Sequence, residues 1–544
     1  MFKHIYIVFI SSCFLINGVW AQTDTATLEN ETIDIIKDYE PVVKRANKKN
    51  FAPKTPEIVI DKPNNQNYNL PISYQEVEYE PSELRPLGYP KEDEVSLPFM
   101  YLKAGFGNYI TPLIDFQVTN KNTENFRVGL GLQHLSSRRK KIENQKFGET
   151  DIKLLGEYYL NGMTIGAQPY FNINTYHYYG YDQEDTTFTA DETRNRYNKG
   201  GVKFFLFNHE ENRIGLDYNT AVTFHSTTDD YNNKEINFNW DMGVSKTFRE
   251  IFKVGGNVMM NVNSFKGIAN ENRFALGINP YLEVGKDRWF VRGGFWFLTD
   301  EGTVYALPDI KHQTKLYKDY IVIYNEWIGN LEINNLNTLS ETNPWLAQSI
   351  NYNNYRVEAR NFIGFKGNVP VGIDYDVRFS QMVYYDVPLF VNDTSTVFNK
   401  FMVQYDNKLK AWNPHISLGY QLGEFLKIRT SFDYFSYSTS DLINEAPWHL
   451  PEFKANASAI FQYNNKFIFK ADVIGFSGVK VKNDEGDVEK LKGNVDLNFS
   501  ANYLLNKNIS FFAEVNNALS LKSERWYKYP GYGFLALGGV IVSF

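Results

Sequence analysis

From Leu97 to Phe544 hydrophobic and polar positions alternate one by one. Val495, Leu497, Phe499, Ala501 and Tyr503 are interleaved with Asp496, Asn498, Ser500 and Asn502. Asn506-Lys507-Asn508 turns the chain, and Ile509, Phe511, Ala513 and Val515 resume the pattern. The same alternation runs through Phe453–Tyr463, Phe467–Val473, Ile236–Val244 and Phe126–Leu132. A period of two held over such lengths predicts strands with one apolar and one polar face. Many runs reach about ten to fourteen residues, longer than the usual sandwich strand and close to what crosses a bilayer at a tilt. Their polar face carries Lys, Asp, Glu and Asn, so no second sheet covers it. An apolar exterior around a wet interior predicts an all-β, antiparallel, up-and-down transmembrane barrel. Closure also removes the edges that so many strands would otherwise expose.

Connection lengths carry the same message. Short turns (Asn161-Gly162, Asn208–Asn212, Phe248–Ile251, Gly285–Arg288, Lys318-Asp319, Lys366–Val369, Gly423–Phe425, Asn464–Lys466, Asn506–Asn508) alternate with longer loops. The longer ones are Ser136–Glu149, Gly180–Gly200, Gly329–Asn354, Thr439–Pro451 and Gly478–Lys490. Periplasmic turns are short and external loops long in barrels of this kind. With Phe401–Leu422 taken as one long strand, residues 98–544 accommodate about 22 strands, an even number.

The first 97 residues read differently. Met1–Gln22 has Lys3 and His4, an apolar run from Ile5 to Ile16, and a small-residue site for cleavage after Ala21, as in a secretory signal peptide. Residues 22–97 hold eight of the 20 prolines, which predicts an extended or disordered periplasmic tail. Two β-prone patches interrupt it, Ile58-Val59-Ile60 and Thr32, Ile33, Asp34, Ile35 and Ile36. They either add as strands to a partner protein or are β-prone runs without a role.

Composition narrows the function. The chain has a formal charge of −7, which offers no global basic field for nucleic acid. Its single cysteine, Cys13, lies in the signal segment, so the mature chain has no disulfide, thiolate metal site or cysteine nucleophile. His134, His177, His209, His225, His312, His415 and His449 form no zinc spacing. The acidic loops Asp182–Glu192 and Asn483–Glu489 lack a calcium-loop pattern. No nucleophile elbow or phosphate loop is present, so neither cofactor nor enzymatic activity is expected. The run Arg138, Arg139, Lys140 and Lys141 at a strand's outer end either meets lipopolysaccharide phosphates or is a solvated cluster. Phe534, Ala536, Gly538, Val540, Val542 and Phe544 share one face of the last strand. Phe544, Val542 and Phe534 are thus the expected signal to barrel-assembly machinery.

Asn516-Asn517-Ala518-Leu519, then Glu524–Phe534 and the closing strand, resemble the C-terminal hairpin of TonB-dependent receptors. Ala446-Pro447-Trp448-His449-Leu450-Pro451 and Thr342-Asn343-Pro344-Trp345 are similar to receptor-like barrels of Bacteroidota. The resemblance implies solute transport across the outer membrane and contact with TonB, for which Thr32–Ile36 is the matching position. Residues 22–97 are fewer than the family's plug, which a 22-stranded lumen needs. The tail, inward-folded loops such as Gly329–Asn354, or a partner must then fill the lumen. The alternative is a non-catalytic barrel subunit of a multiprotein outer-membrane or envelope assembly, bound to other outer-membrane and periplasmic proteins.

Overall fold

The computed structural model describes residues 98–544, apart from residues 122–124, 210, 211, 213, 269, 394–396, 398 and 440–443. The expected signal peptide, tail and Thr32–Ile36 lie outside the described residues.

Twenty-two antiparallel staves form a closed barrel. The sheet has 23 segments, of which Leu426–Tyr434 and Ser436–Thr439 are halves of one stave, both paired with Leu409–Leu422 and separated by Phe435. Each stave pairs with its neighbours in sequence, and Met100–Gly107 closes the ring against Leu535–Ser543, from Tyr101↔Ser543 to Gly107↔Leu537. At this seam Gly105 faces Gly539. A Cβ on Gly539 would collide with the Ala104 carbonyl, and the buried Phe512 ring covers the paired glycines from inside. Lys103 Nζ meets Glu514 Oε1 at 2.6 Å and lies 4.5 Å from the Phe512 ring centre.

Outward positions keep the expected apolar face: Val128, Leu154, Phe204, Phe274 and Phe469 are all exposed. In water such a belt is unfavourable, whereas hydrocarbon accommodates it and the closed ladder pairs the backbones of neighbouring staves. Connections at one end are short, as between Leu160 and Met163 or Tyr463 and Phe467. Near that end the exposed Tyr158, Phe248, Trp289, Tyr317 and Tyr463 supply the aromatics of an interfacial girdle.

The other end carries the long loops, and the apolar core lies there rather than in the wall. Phe401–Asp406 leaves the barrel and pairs with Val387–Asn392, from Val387↔Asp406 to Asn392↔Phe401. The expectation of one strand over Phe401–Leu422 is therefore corrected: the wall stave is Leu409–Leu422. Asp406 Oδ1 accepts from Lys408 N at 3.0 Å, turning the chain between them. Burial of Leu389, Phe401 and Val403 draws the hairpin into the mouth. Ser136–Glu149 is also shorter than expected, because the strands run to Arg138 and restart at Lys146.

Candidate functional site

Loops from widely separated staves meet across the mouth. The helix Leu336–Thr342 begins with a capping box: Asn335 Oδ1 accepts from Thr338 N at 2.9 Å, and Thr338 Oγ1 accepts from Asn335 N at 2.9 Å. Pro344 follows the C-cap and prevents continuation. The helix docks on inner-wall residues of distant strands. Glu235 accepts from Leu336 N at 2.5 Å, and Lys199 donates to Glu341 at 3.0 Å and to the Asn337 carbonyl at 3.3 Å. Both wall side chains are almost fully buried, a state tolerable only because each is partnered. Tyr197 and Asn195 donate to the Pro344 carbonyl at 3.1 and 3.2 Å, and Tyr178 donates to the Leu346 carbonyl at 2.7 Å.

The inward hairpin meets the segment after this helix. Ala347 N donates to the Phe401 carbonyl at 2.8 Å, and Phe401 N donates to the Trp345 carbonyl at 2.9 Å. The fully buried Phe401 ring lies 5.2 Å from His449, 5.3 Å from Trp526 and 5.7 Å from Tyr529. Trp345, Tyr179 and Tyr529 form a second ring group, with Trp345 and Tyr529 4.3 Å apart. Gly180 permits this approach, since a Cβ there would come within 2.6 Å of the Tyr529 ring.

His449 joins three loops. Its Nδ1–H donates to the Phe390 carbonyl at 2.7 Å, and Nε2 accepts from Tyr527 N at 3.4 Å. Its own backbone N donates to the Lys480 carbonyl at 2.9 Å. Burial drives its pKa down to about 3, opposed by the Phe390 bond and assisted by nearby Arg525. Burial likewise lowers the Arg525 pKa to about 10.

Below the cap the inner wall carries asparagines on adjacent strands. Asn237 and Asn261 exchange amide hydrogen bonds at 3.3 Å, and Asn257 donates to Asn279 at 3.3 Å. Asn279 donates to Asp309 at 3.2 Å, and Arg292 donates to Asp309 at 2.8 Å while packing 3.6 Å from the centre of the Tyr281 ring. Asn237, Asn261 and Asn279 are buried and satisfied by one another and by Asp309, so this stretch of inner wall is a polar, internally bonded layer. Among the described residues no group of three or more His, Cys, Asp and Glu side chains is placed to hold a metal ion.

The structure separates the residues singled out in the sequence. Arg138, Lys140 and Lys141 are exposed, whereas Arg139 turns inward and is 8% exposed. Phe534 and Phe544 are exposed on the outer face of the last stave, the face that Val542 shares. Of these only Arg139 reaches the cap: its backbone N donates to the Gln145 carbonyl at 3.0 Å, and Gln145 in turn donates to the Pro530 carbonyl. His449 carried no motif spacing; its signals were the fragment Ala446–Pro451 and a histidine flanked by Trp448 and Leu450, both apolar.

Wall and mouth together define the class: a 22-stranded membrane-type barrel whose own loops pack together at one end. Among solved structures the chain is similar to the FrpB iron transporter from Neisseria meningitidis (F3-3 variant), with a TM-score of 0.65 at 10% identity over 82% of this chain and 81% of that one. A mutant ferric enterobactin receptor, PfeA, from Pseudomonas aeruginosa gives 0.62 at 10% identity over 82% and 80%. The ferric-catecholate import receptor Fiu from E. coli K12, in closed form, gives 0.60 at 10% identity over 82% of both chains. At such identity the likeness establishes the fold. No family model matches the chain, and no curated protein matches it.

Proposed function

We propose that this chain is an outer-membrane barrel of the TonB-dependent receptor type, of the kind common in Bacteroidota, that passes a solute inward. In this reading it lacks the family's full plug, and its own loops close the mouth. The observation that carries the reading is the docking of helix Leu336–Thr342 onto Lys199 and Glu235, above a lumen wall lined with asparagines. A loop seal at the mouth of a barrel with a polar inner wall suits a gated conduit. The long loops then face the exterior and the short turns the periplasm; residues 22–97 belong to the periplasm in this reading, with Thr32–Ile36 the candidate TonB contact. Phe544, Val542 and Phe534 present the closing strand to the assembly machinery. No catalytic role is assigned.

The test is conductance in planar bilayers, comparing the wild type with a variant in which residues 336–342 are replaced by a glycine-serine linker. The expected result is a nearly silent wild type and an open variant, with iron chelates, named for the neighbouring structures, as the first solutes tried. A silent variant that co-purifies stoichiometrically with other outer-membrane proteins would overturn the transport reading in favour of an assembly subunit.

A further inference from the structure

The basic run Arg138–Lys141 turns out to be one part of a larger arrangement. Arg138 pairs in register with Lys146 on the next strand, two cations directly opposite each other. One strand further on, His177 pairs with Arg194, and the charged neighbours of Lys146 are Arg138, Asp191 and Arg194. These positions share the parity of exposed apolar residues on their own strands: Val128 and Leu130 with Arg138, Leu154 with Lys146, Phe171 with His177, and Phe204 with Arg194. Arg138, Lys146 and Arg194 therefore stand on the lipid-facing side, at the loop end, above the apolar belt, while His177 beside them is buried.

A hydroxyl and imidazole tier separates the two levels. His134 Nδ1 lies 2.8 Å from Thr150 Oγ1 and its Nε2 3.1 Å from Ser136 Oγ, and Arg196 donates to Thr175 Oγ1 at 3.3 Å. Acidic groups answer only the Arg194 end of the row. Asp230 and Asp191 hold Arg194 at 2.8 and 3.2 Å, and Glu143 and Glu192 lie exposed in the connecting loops. Arg138, Lys140, Lys141 and Lys146 have no side-chain ion pair among the described residues. Like charges placed directly opposite across a ladder are destabilising unless an anion relieves them. Phosphate does so well, because Arg and Lys give it charge-assisted hydrogen bonds.

We propose that the outer ends of Phe126–Arg138, Lys146–Leu160, Met163–His177 and Arg194–Asn208 bind an outer-leaflet phosphoglycolipid. Arg138, Lys146 and the Lys140-Lys141 pair hold its phosphates, the tier below meets its sugar hydroxyls and amides, and the belt receives its acyl chains. This rests on the outer-membrane placement of the barrel and is independent of transport.

Full-length protein in detergent is titrated with bis-phosphorylated lipid A, with the same lipid enzymatically dephosphorylated, and with phosphatidylcholine, and is read by native mass spectrometry. The expected result is a preference of about tenfold or more for the phosphorylated lipid, abolished in the double variant Arg138→Gln/Lys146→Gln and unchanged in the turn-end control Lys507→Gln. Thermal unfolding supplies a second readout that needs no loss of fold. Without lipid A the double variant melts above the wild type, because the opposed charges are gone; with lipid A the order reverses. Equal binding of the dephosphorylated lipid, or a melting order unaffected by lipid A, would overturn the assignment. Conductance of the loop-replaced barrel, which tests the transport reading, does not depend on either result.

Discussion

His449 Nδ1 lies 2.7 Å from the carbonyl oxygen of Phe390, although 59 residues separate them in sequence. Through that bond, and through Nε2 accepting from Tyr527 N, one buried imidazole ties the inward hairpin to the C-terminal loop. The ring also lies 5.0 Å from Trp526 and 5.2 Å from Phe401, so it serves as packing and as a two-sided hydrogen-bond adaptor. No other protonation state suits both partners: a proton on Nε2 would face the Tyr527 N–H, donor against donor.

Replacing His449 by Ala is therefore expected to leave a buried carbonyl and a buried N–H unpaired, each costing about 1–3 kcal/mol. The loss should be local to the cap. Hydrogen exchange should accelerate in Val387–Asn392 and Phe401–Asp406, while the wall ladders stay protected and heat-modifiable gel migration is retained. Unchanged exchange in that hairpin would refute the joint.

The same residue sets a pH dependence. Its folded-state pKa is lowered from 6.5 to about 3, so an opened loop binds the proton first as the medium is acidified. The stabilisation from burying neutral His449 is whole above about pH 6.5 and is lost progressively as pH falls towards 3. Trp526 fluorescence, reporting on the ring beside it, should change over that window in the wild type. In His449→Gln, which cannot titrate, the change should be much smaller.

Glu235 anchors the helix through a single acceptor at its first turn. Glu235→Ala should cost the cap about 1–3 kcal/mol by stranding the Leu336 N–H, whereas Glu235→Gln retains an acceptor and should cost less. Ion conductance of the purified barrel gives the ranking: Ala most open, Gln intermediate, wild type closed. Equal conductance in all three would mean that the helix is not the seal.

Adjacent residues on one stave should respond oppositely to charge. Leu154 faces outward near the middle of Lys146–Leu160, and Lys153 faces the lumen. Leu154→Arg is expected to cost about 2–4 kcal/mol on refolding into lipid, the depth-dependent penalty of a lipid-facing cation near the midplane. Lys153→Gln should be close to neutral. Urea titration in vesicles measures both.

The barrel was legible because its rule is local. Whether Phe499 or Ser500 meets lipid depends only on the parity of the strand, and a one-residue slip would expose every polar side chain to hydrocarbon. Turn lengths then set the count, and the strand that crosses from Phe467 to Ser477 could be read without knowing any other. The inward hairpin shows where such reasoning stops. Phe401–Asp406 alternates no less like a wall strand than Leu409–Leu422, and its departure from the wall depends on Leu346 and Trp526, residues brought beside it only by closure.

Period-two patterning, run length and alternating turn lengths by themselves determined a closed membrane-type barrel of 22 staves. Only the tertiary structure decided which loops meet at its mouth, that His449 joins them, and that Arg138 shares a row with Lys146 while Arg139 turns away. The physical reason is range. Backbone pairing and face alternation act between neighbours and leave a period in the chain. The cap is held by contacts such as Gln145 to the Pro530 carbonyl at 2.7 Å, spanning 385 residues, and contacts of that kind leave no period to read.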